Sequence, residues 1–446
     1  MSALSPLKKT VNALTRSPIL MALSLVVLLN VFLAFKDPFG RVDPNTIPSA
    51  KHWAYWTTQD YLNEKSAPDV VLLGSSIFMN PLWMLEAEHL NRTVDIVVER
   101  RSHYLEDAIK KQLPGAKLSC FNFALPGAMV SDDYMIVRTL FKEGKTPKVV
   151  VLGLTPLDMT DDDFYCAVSS THYKYLSKFT RTRDLIDLAM PKPWQRTEFL
   201  VNESLYLAGR KHDVQGSVIG SMRNDLSGYL GPLSATPLIS KEKGDAKDAI
   251  YHDEVAPGVW LAQPVGIDYF NDNSNGFKKR YRFATPDRCK IKMAWLKKCI
   301  DLCREKNIEP LIVNVPLPDP ALKILPAGVH EALVKRVEDM ATQEKCAYLD
   351  LQKTGAFNIK DFTDSCHMDA SGGRKVMDFV AKEIGKDTRL SAALLSPTQP
   401  QIAGPGFSPN GNPGINPSIA PVGSPGASDD DRNNSDSKLA GRRGAM

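Results

Sequence analysis

Two short stretches, far apart in the chain, hold residue types that could do covalent chemistry together. The first follows the apolar residues 70–73 and reads Gly74-Ser75-Ser76. A small Gly followed by Ser at a strand-to-helix turn exposes a hydroxyl at the top of a sheet. It also sets the serine N–H in the first turn of a helix, where negative charge is stabilised. Either serine could be the nucleophile, although a Gly-Ser-Ser turn standing alone more often caps a helix. The second stretch is Asp364-Ser365-Cys366-His367, followed by Ser371-Gly372-Gly373. A carboxylate three residues before a His can reach Nδ1, fix the tautomer and leave Nε2 facing a nucleophile. Taken alone, such a His is more often a capping or hydrogen-bonded surface residue.

Both stretches need elements to present them. Short apolar runs at residues 69–74 (DVVLLG), 118–124 (LSCFNFA), 148–154 (KVVVLGL), 309–315 (EPLIVNV) and 346–351 (CAYLDL) read as buried strands. Helical periods lie between them at 105–113, 132–142, 288–306, 329–343 and 372–384. This alternation predicts an α/β fold of three layers, a mainly parallel sheet with helices on both faces. Ligands bind such sheets at the carboxyl ends of the strands. Residues 159–286, rich in Tyr, Trp, His and Gly, break the rhythm and read as a long insertion forming a lid, a partner surface or a small domain.

With the strand order in place, the chain resembles the SGNH, or GDSL-like, hydrolase superfamily over roughly residues 68–386. Gly74-Ser75-Ser76 matches its first block with Ser at the middle position, which makes Ser76 the expected nucleophile. Asn122-Phe123-Ala124-Leu125-Pro126-Gly127 matches the second block and Asp364-x-x-His367 the last. The third block departs: where the family places Asn, this chain has Thr155, within Gly153-Leu154-Thr155-Pro156-Leu157-Asp158. The resemblance implies a flavodoxin-like sheet and acyl transfer through a covalent ester. It assigns Ser76, His367 and Asp364 as the triad and the N–H groups of Ser76 and Gly127 as oxyanion donors; either the Thr155 hydroxyl substitutes for the missing carboxamide or a more specialised reaction does without it. The relaxed third block is similar to the membrane-anchored branch that works with membrane-bound O-acyltransferases on surface polysaccharides. An esterase or O-acyltransferase acting on acylated carbohydrate, without cofactor or metal, is therefore expected, with a membrane-bound O-acyltransferase as a candidate partner. The rival expectation is an inert scaffold of the same fold serving a cell-envelope assembly, and Thr155 is its main support. A third, a lipolytic enzyme on membrane lipids, would need an apolar acyl groove that the sequence does not display.

The ends have their own composition. Residues 1–17 form a leader whose Lys8, Lys9 and Arg16 meet no acid, and residues 18–35 are apolar apart from Ser24 and Asn30. At 1.5 Å per residue the apolar run covers roughly 26 Å, enough for one crossing. The positive-inside rule then leaves the N-terminus cytoplasmic and the main body extracytoplasmic. Residues 32–37 lack the small-residue pair of a cleavage site, so an uncleaved signal anchor is expected. Residues 36–66 read as a juxtamembrane linker, 67–390 as the catalytic-type domain and 391–446 as a disordered tail. In that tail Pro405, Pro409, Pro413, Pro417, Pro421 and Pro425 recur at every fourth position.

The remaining features exclude more than they assign. The chain of 446 residues is 43% apolar and 24% charged, ordinary values that fit neither a disordered chain nor a multi-span protein. Its net charge of +4 sits mostly in the leader, so the near-neutral body argues against nucleic acid. Seven cysteines without a C-x-x-C pair do not suggest zinc. Cys366 beside His367 invites a thiol nucleophile, declined because adjacent side chains at a turn point apart. Asp158 with Asp161, Asp162 and Asp163 reads as a solvated loop, His212-Asp213 and His252-Asp253 as pairs no strand end presents, and Glu99-Arg100-Arg101 as surface.

Overall fold

The five apolar runs form one parallel sheet, composed of β1 (Val70–Gly74), β3 (Cys120–Asn122), β4 (Val149–Leu154), β6 (Glu309–Asn314) and β7 (Ala347–Asp350). Their order is β3-β1-β4-β6-β7, and the register sets Gly74 level with Gly153 and Leu154 level with Asn314. Every residue of β1 and β4 is buried, as expected of parallel strands covered on both faces. The strand order reverses between β1 and β4, the crevice where such sheets receive ligands. A short antiparallel pair, β2 (Val94–Asp95) with β5 (Leu261–Ala262), stands apart. Two-residue strands carry no periodicity that a sequence could reveal.

This computed structural model describes residues 17–36, 52–116, 118–142, 144–160, 166–209, 255–264, 270–281, 284–285 and 289–396. All belong to one compact unit, Met1–Gly404. Residues 1–16 of the leader, Asp161–Asp163, the two His-Asp pairs of the insertion and the proline-repeat tail lie outside the described residues.

Helices cover both faces. Helix Ala370–Lys386 packs on helices Ser76–Leu90 and His103–Gln112, and helix Lys290–Glu305 packs on Val130–Thr139. The first has a sharp apolar face, burying Val376, Met377, Val380, Ala381 and Ile384. Its close approach depends on glycine, because a Cβ on Gly373 would stand 2.4 Å from the Pro81 carbonyl oxygen and one on Gly372 2.5 Å from that of Asp361.

Two boundaries differ from expectation. Within the expected linker, residues 53–63 form a helix that buries Trp53, Ala54, Tyr55, Thr57, Thr58 and Tyr61. Tyr61 edges onto Phe121 and Phe123 at 5.2 and 5.7 Å, so this segment belongs to the core. Its mixture of aromatic and polar residues hides the apolar stripe. At the other end, helix Thr388–Leu395, capped by Asp387, extends order into the expected tail.

Helix Pro18–Lys36 buries none of its residues and has a mean hydropathy of 2.5, long and apolar enough for one membrane span. Its Asn30 side chain donates to the Ser204 carbonyl at 2.9 Å and accepts from the Tyr206 N–H.

Candidate active site

The two neighbouring serines of the β1 turn have different surroundings. Ser75 is the N-cap of helix Ser76–Leu90: its hydroxyl accepts from the Ile77 N–H at 3.4 Å and donates to the half-buried Asp158 carboxylate. It is 4% exposed and committed on both sides. Ser76, the first helical residue, turns its hydroxyl the other way. The turn between strand and helix requires Gly74, whose φ is +145°, with the Gly153 carbonyl oxygen 2.6 Å from where a Cβ would sit.

Ser76 Oγ lies 3.0 Å from His367 Nε2, and His367 Nδ1 lies 2.9 and 3.1 Å from the two Asp364 oxygens. The three residues named from sequence are thus brought into one hydrogen-bonded chain. A carboxylate can only accept, so Nδ1 carries the proton and Nε2 is left to accept from the serine hydroxyl. Asp364 Oδ1 also accepts the N–H groups of Cys366 at 2.7 Å and His367 at 2.8 Å. Burial alone would raise the Asp364 pKa. The hydrogen bond and charge of His367, with those two N–H groups, outweigh it and hold the carboxyl below its usual range. The His367 and Asp364 side chains are 22% and 21% exposed, within reach of an incoming molecule.

Residues that sequence reading passed over brace this loop. The Asn271 N–H donates to the Thr363 carbonyl at 2.8 Å, Ser365 N–H to Asn273 Oδ1 at 3.1 Å, and Ser365 Oγ to Asp272 Oδ1 at 2.9 Å. The signal was the run Asn271-Asp272-Asn273-Ser274, whose short polar side chains bond locally to backbone.

Gly127 lies on the neighbouring turn. Phe123 N–H donates to the Leu72 carbonyl at 2.8 Å and Leu125 N–H to that of Gly74 at 3.0 Å, which ties the turn after β3 alongside the serine turn. Ala128 N–H returns to the Leu125 carbonyl at 3.1 Å, with Gly127 at φ +66°. Proline followed by a positive-φ glycine marks a type II turn. Among the described residues no acceptor takes the Ser76 or Gly127 N–H.

Three expectations need correction. Thr155 caps the short helix Pro156–Thr160: its hydroxyl and N–H both donate to Asp158 Oδ2, at 2.9 and 3.1 Å, and it is 2% exposed. Its donors are occupied, so it supplies no oxyanion contact. Asp158 is no free surface carboxylate but is half-buried and bonded to Ser75 and Thr155, and the burial raises its pKa. Arg100 is 1% exposed, with its guanidinium 5.8 and 5.2 Å from the rings of Trp53 and Trp83 and Nη1 donating to the Ala124 carbonyl at 3.2 Å. Burial lowers its pKa to about 9.

The thiol alternative finds little footing. Cys366 is buried, and burial pushes its thiol well up, away from thiolate. No disulfide forms among the seven cysteines, all within the described residues. Among those residues no cluster of three His, Cys, Asp or Glu side chains could hold a metal.

Residues 99–384 match a family described as protein of unknown function, DUF1574. The chain belongs to that family. The DUF1574 match includes Gly127, Asp364 and His367 and begins downstream of Ser76. No curated protein matches the chain. The crystal structure of a candidate acylhydrolase from Bacteroides fragilis is similar at 12% identity and a TM-score of 0.32, covering 75% of this chain and 98% of that one.

Proposed function

We propose that this protein is a serine acyl-transfer enzyme anchored by helix Pro18–Lys36 and acting outside the membrane on ester-linked acyl groups of carbohydrate. The observation that carries the reading is the 3.0 Å contact between Ser76 Oγ and His367 Nε2, backed by Asp364 on the far nitrogen. His367 takes the proton of Ser76 as its Oγ attacks the acyl carbonyl, and Asp364 stabilises the imidazolium. The Ser76 and Gly127 N–H groups hold the oxyanion. Collapse expels the alcohol, to which His367 returns the proton, leaving the acyl group on Ser76. Water then completes an esterase cycle and a sugar hydroxyl a transferase cycle through the same acyl-enzyme.

Ser76→Ala is the direct test, read as surface-polysaccharide acylation in cells and ester hydrolysis by the purified protein. Hydrolysis is expected to disappear and surface acylation to change, falling for a transferase and rising for an esterase; both persisting unchanged would remove the assignment.

One observation favours a second reading, an inert scaffold of the same fold. The third-block position holds Thr155, whose hydroxyl is spent on Asp158, so one donor of the family's oxyanion site has no replacement from this residue. Loss of such a donor costs about 100- to 1,000-fold in kcat. Labelling of the folded protein by a serine-directed fluorophosphonate separates the two: an enzyme is labelled and a scaffold is not.

A further inference from the structure

Gly127 N–H belongs to the same peptide group as the Pro126 carbonyl. No described peptide bond is cis, so this C=O and N–H point in opposite directions across one rigid plane. Whatever grips the carbonyl therefore aims the N–H. His172, from the insertion, grips it: Nε2 lies 2.8 Å from Pro126 O, and the ring is buried. A carbonyl only accepts, so Nε2 carries the hydrogen, while Nδ1 has no partner among the described residues. Burial lowers the His172 pKa to about 4, so the ring is neutral near neutral pH.

The ring is itself held in place. Ser170 caps helix Thr171–Leu176 by accepting the His172 and Tyr173 N–H groups at 3.1 and 3.3 Å, and it donates to Asp132 Oδ1 at 2.8 Å. Asp132 Oδ2 accepts the Met129 N–H at 2.8 Å. One buried carboxyl thus clamps the chain just beyond Gly127 and the turn that carries His172.

The turn needs such a clamp. Turn types I and II share the outer hydrogen bond, here Ala128 N–H to Leu125 O, and differ by a flip of the central peptide. Glycine tolerates either orientation, so its freedom permits the observed turn without fixing it.

We propose that His172 is a positioning residue for acyl transfer: by donating to Pro126 O it locks the Pro126–Gly127 peptide with the Gly127 N–H turned toward the oxyanion, and polarises that N–H. The proposal rests on the reading of Ser76 as nucleophile. It explains why a buried histidine with an unmet nitrogen is held beside this turn.

The test uses full-length protein in detergent, hydrolysis of 4-nitrophenyl acetate, and binding of a boronic acid that forms a tetrahedral serine adduct. His172→Phe is expected to lower kcat about 10- to 100-fold with little change in KM, and to weaken boronate binding by a similar factor. His172→Gln, whose amide can donate to the same carbonyl, is expected to recover most of both losses. Packing alone would lower the melting temperature without this paired loss. Wild-type kcat and boronate affinity in His172→Phe overturn the proposal, as does a folded His172→Gln that loses as much as His172→Phe. Should His172→Phe not fold, His172→Met against His172→Gln poses the same question, and equal kcat in that pair overturns the proposal. Ser76→Ala is run alongside. Its full activity would instead overturn the nucleophile reading, whereas an inactive Ser76→Ala beside an unchanged His172→Phe defeats only the role of His172.

Discussion

Adjacent hydroxyls at Ser75 and Ser76 have opposite duties, and the difference lies in what each touches. Ser75 caps a helix and donates to the half-buried Asp158, so Ser75→Ala should lower stability by about 1 kcal/mol, read as a fall in melting temperature, while fluorophosphonate still labels Ser76. Asp364→Asn keeps the shape of the loop but favours the wrong His367 tautomer. A loss of about 10,000-fold in kcat is expected, measured with a soluble ester. A pH effect belongs to the half-buried His52 and the buried His172, lowered from 6.5 to about 3 and about 4, chiefly by desolvation. The unfolded chain protonates both near 6.5, whereas the fold resists. Their contribution is complete above that value and is lost as pH falls toward 4, on the order of 3 kcal/mol for His172. Asp132 and Asp60, raised by burial to about 7 and about 6, act in the opposite sense over the same window. The clean measurement is therefore a difference. The melting temperature of His52→Phe should fall less steeply than that of the wild type between about pH 7 and pH 4.5, and equal slopes would contradict the assignment.

At the scale of elements, two helices fix the distance between Ser76 and His367. Helix Ala370–Lys386 follows the His367 loop and lies on the Ser76 helix through Gly373 and Pro81. Gly373→Ala puts a Cβ 2.4 Å from a backbone oxygen, so the helices must part. A stability loss of about 1–3 kcal/mol is expected, together with a fall in kcat larger than that of an exposed control such as Lys382→Ala. All five strands of the sheet were legible, because continuous β-branched and leucine runs such as VVVLGL suit strands buried on both faces. The helix at Trp53–Asn63 was not: in WAYWTTQDYLN the buried threonines interrupt the apolar stripe. Nor was the role of Thr155 as a cap, although Thr155-Pro156-Leu157-Asp158 has the spacing of a capping box. The family resemblance drew attention to the missing carboxamide and away from the local motif.

For the whole molecule, helix Pro18–Lys36 and the insertion meet at Asn30. This residue lies about 9 Å along the helix from Lys36, and its amide bonds to the backbone of Ser204 and Tyr206. Because the helix contributes nothing to the core, removing residues 1–36 should move the protein from the membrane to the soluble fraction and preserve hydrolysis of a soluble ester. Retention in the membrane fraction would contradict the anchor. The site was partly legible at this scale. Ser76, Asp364 and His367 could be named because each sits in a short motif, while His172, Asp272 and Asn273 act through contacts between distant segments that no local spacing encodes.

The proposed mechanism requires a covalent acyl group on Ser76. Rapid acid quench of the full-length protein with a short-chain nitrophenyl ester, followed by peptide mass spectrometry, reads it directly. An acyl mass is expected on the peptide containing Ser76, absent from Ser76→Ala and much reduced in His367→Ala. An adduct on Ser75 or Cys366, or a folded protein that turns over the ester with none on Ser76, would contradict it.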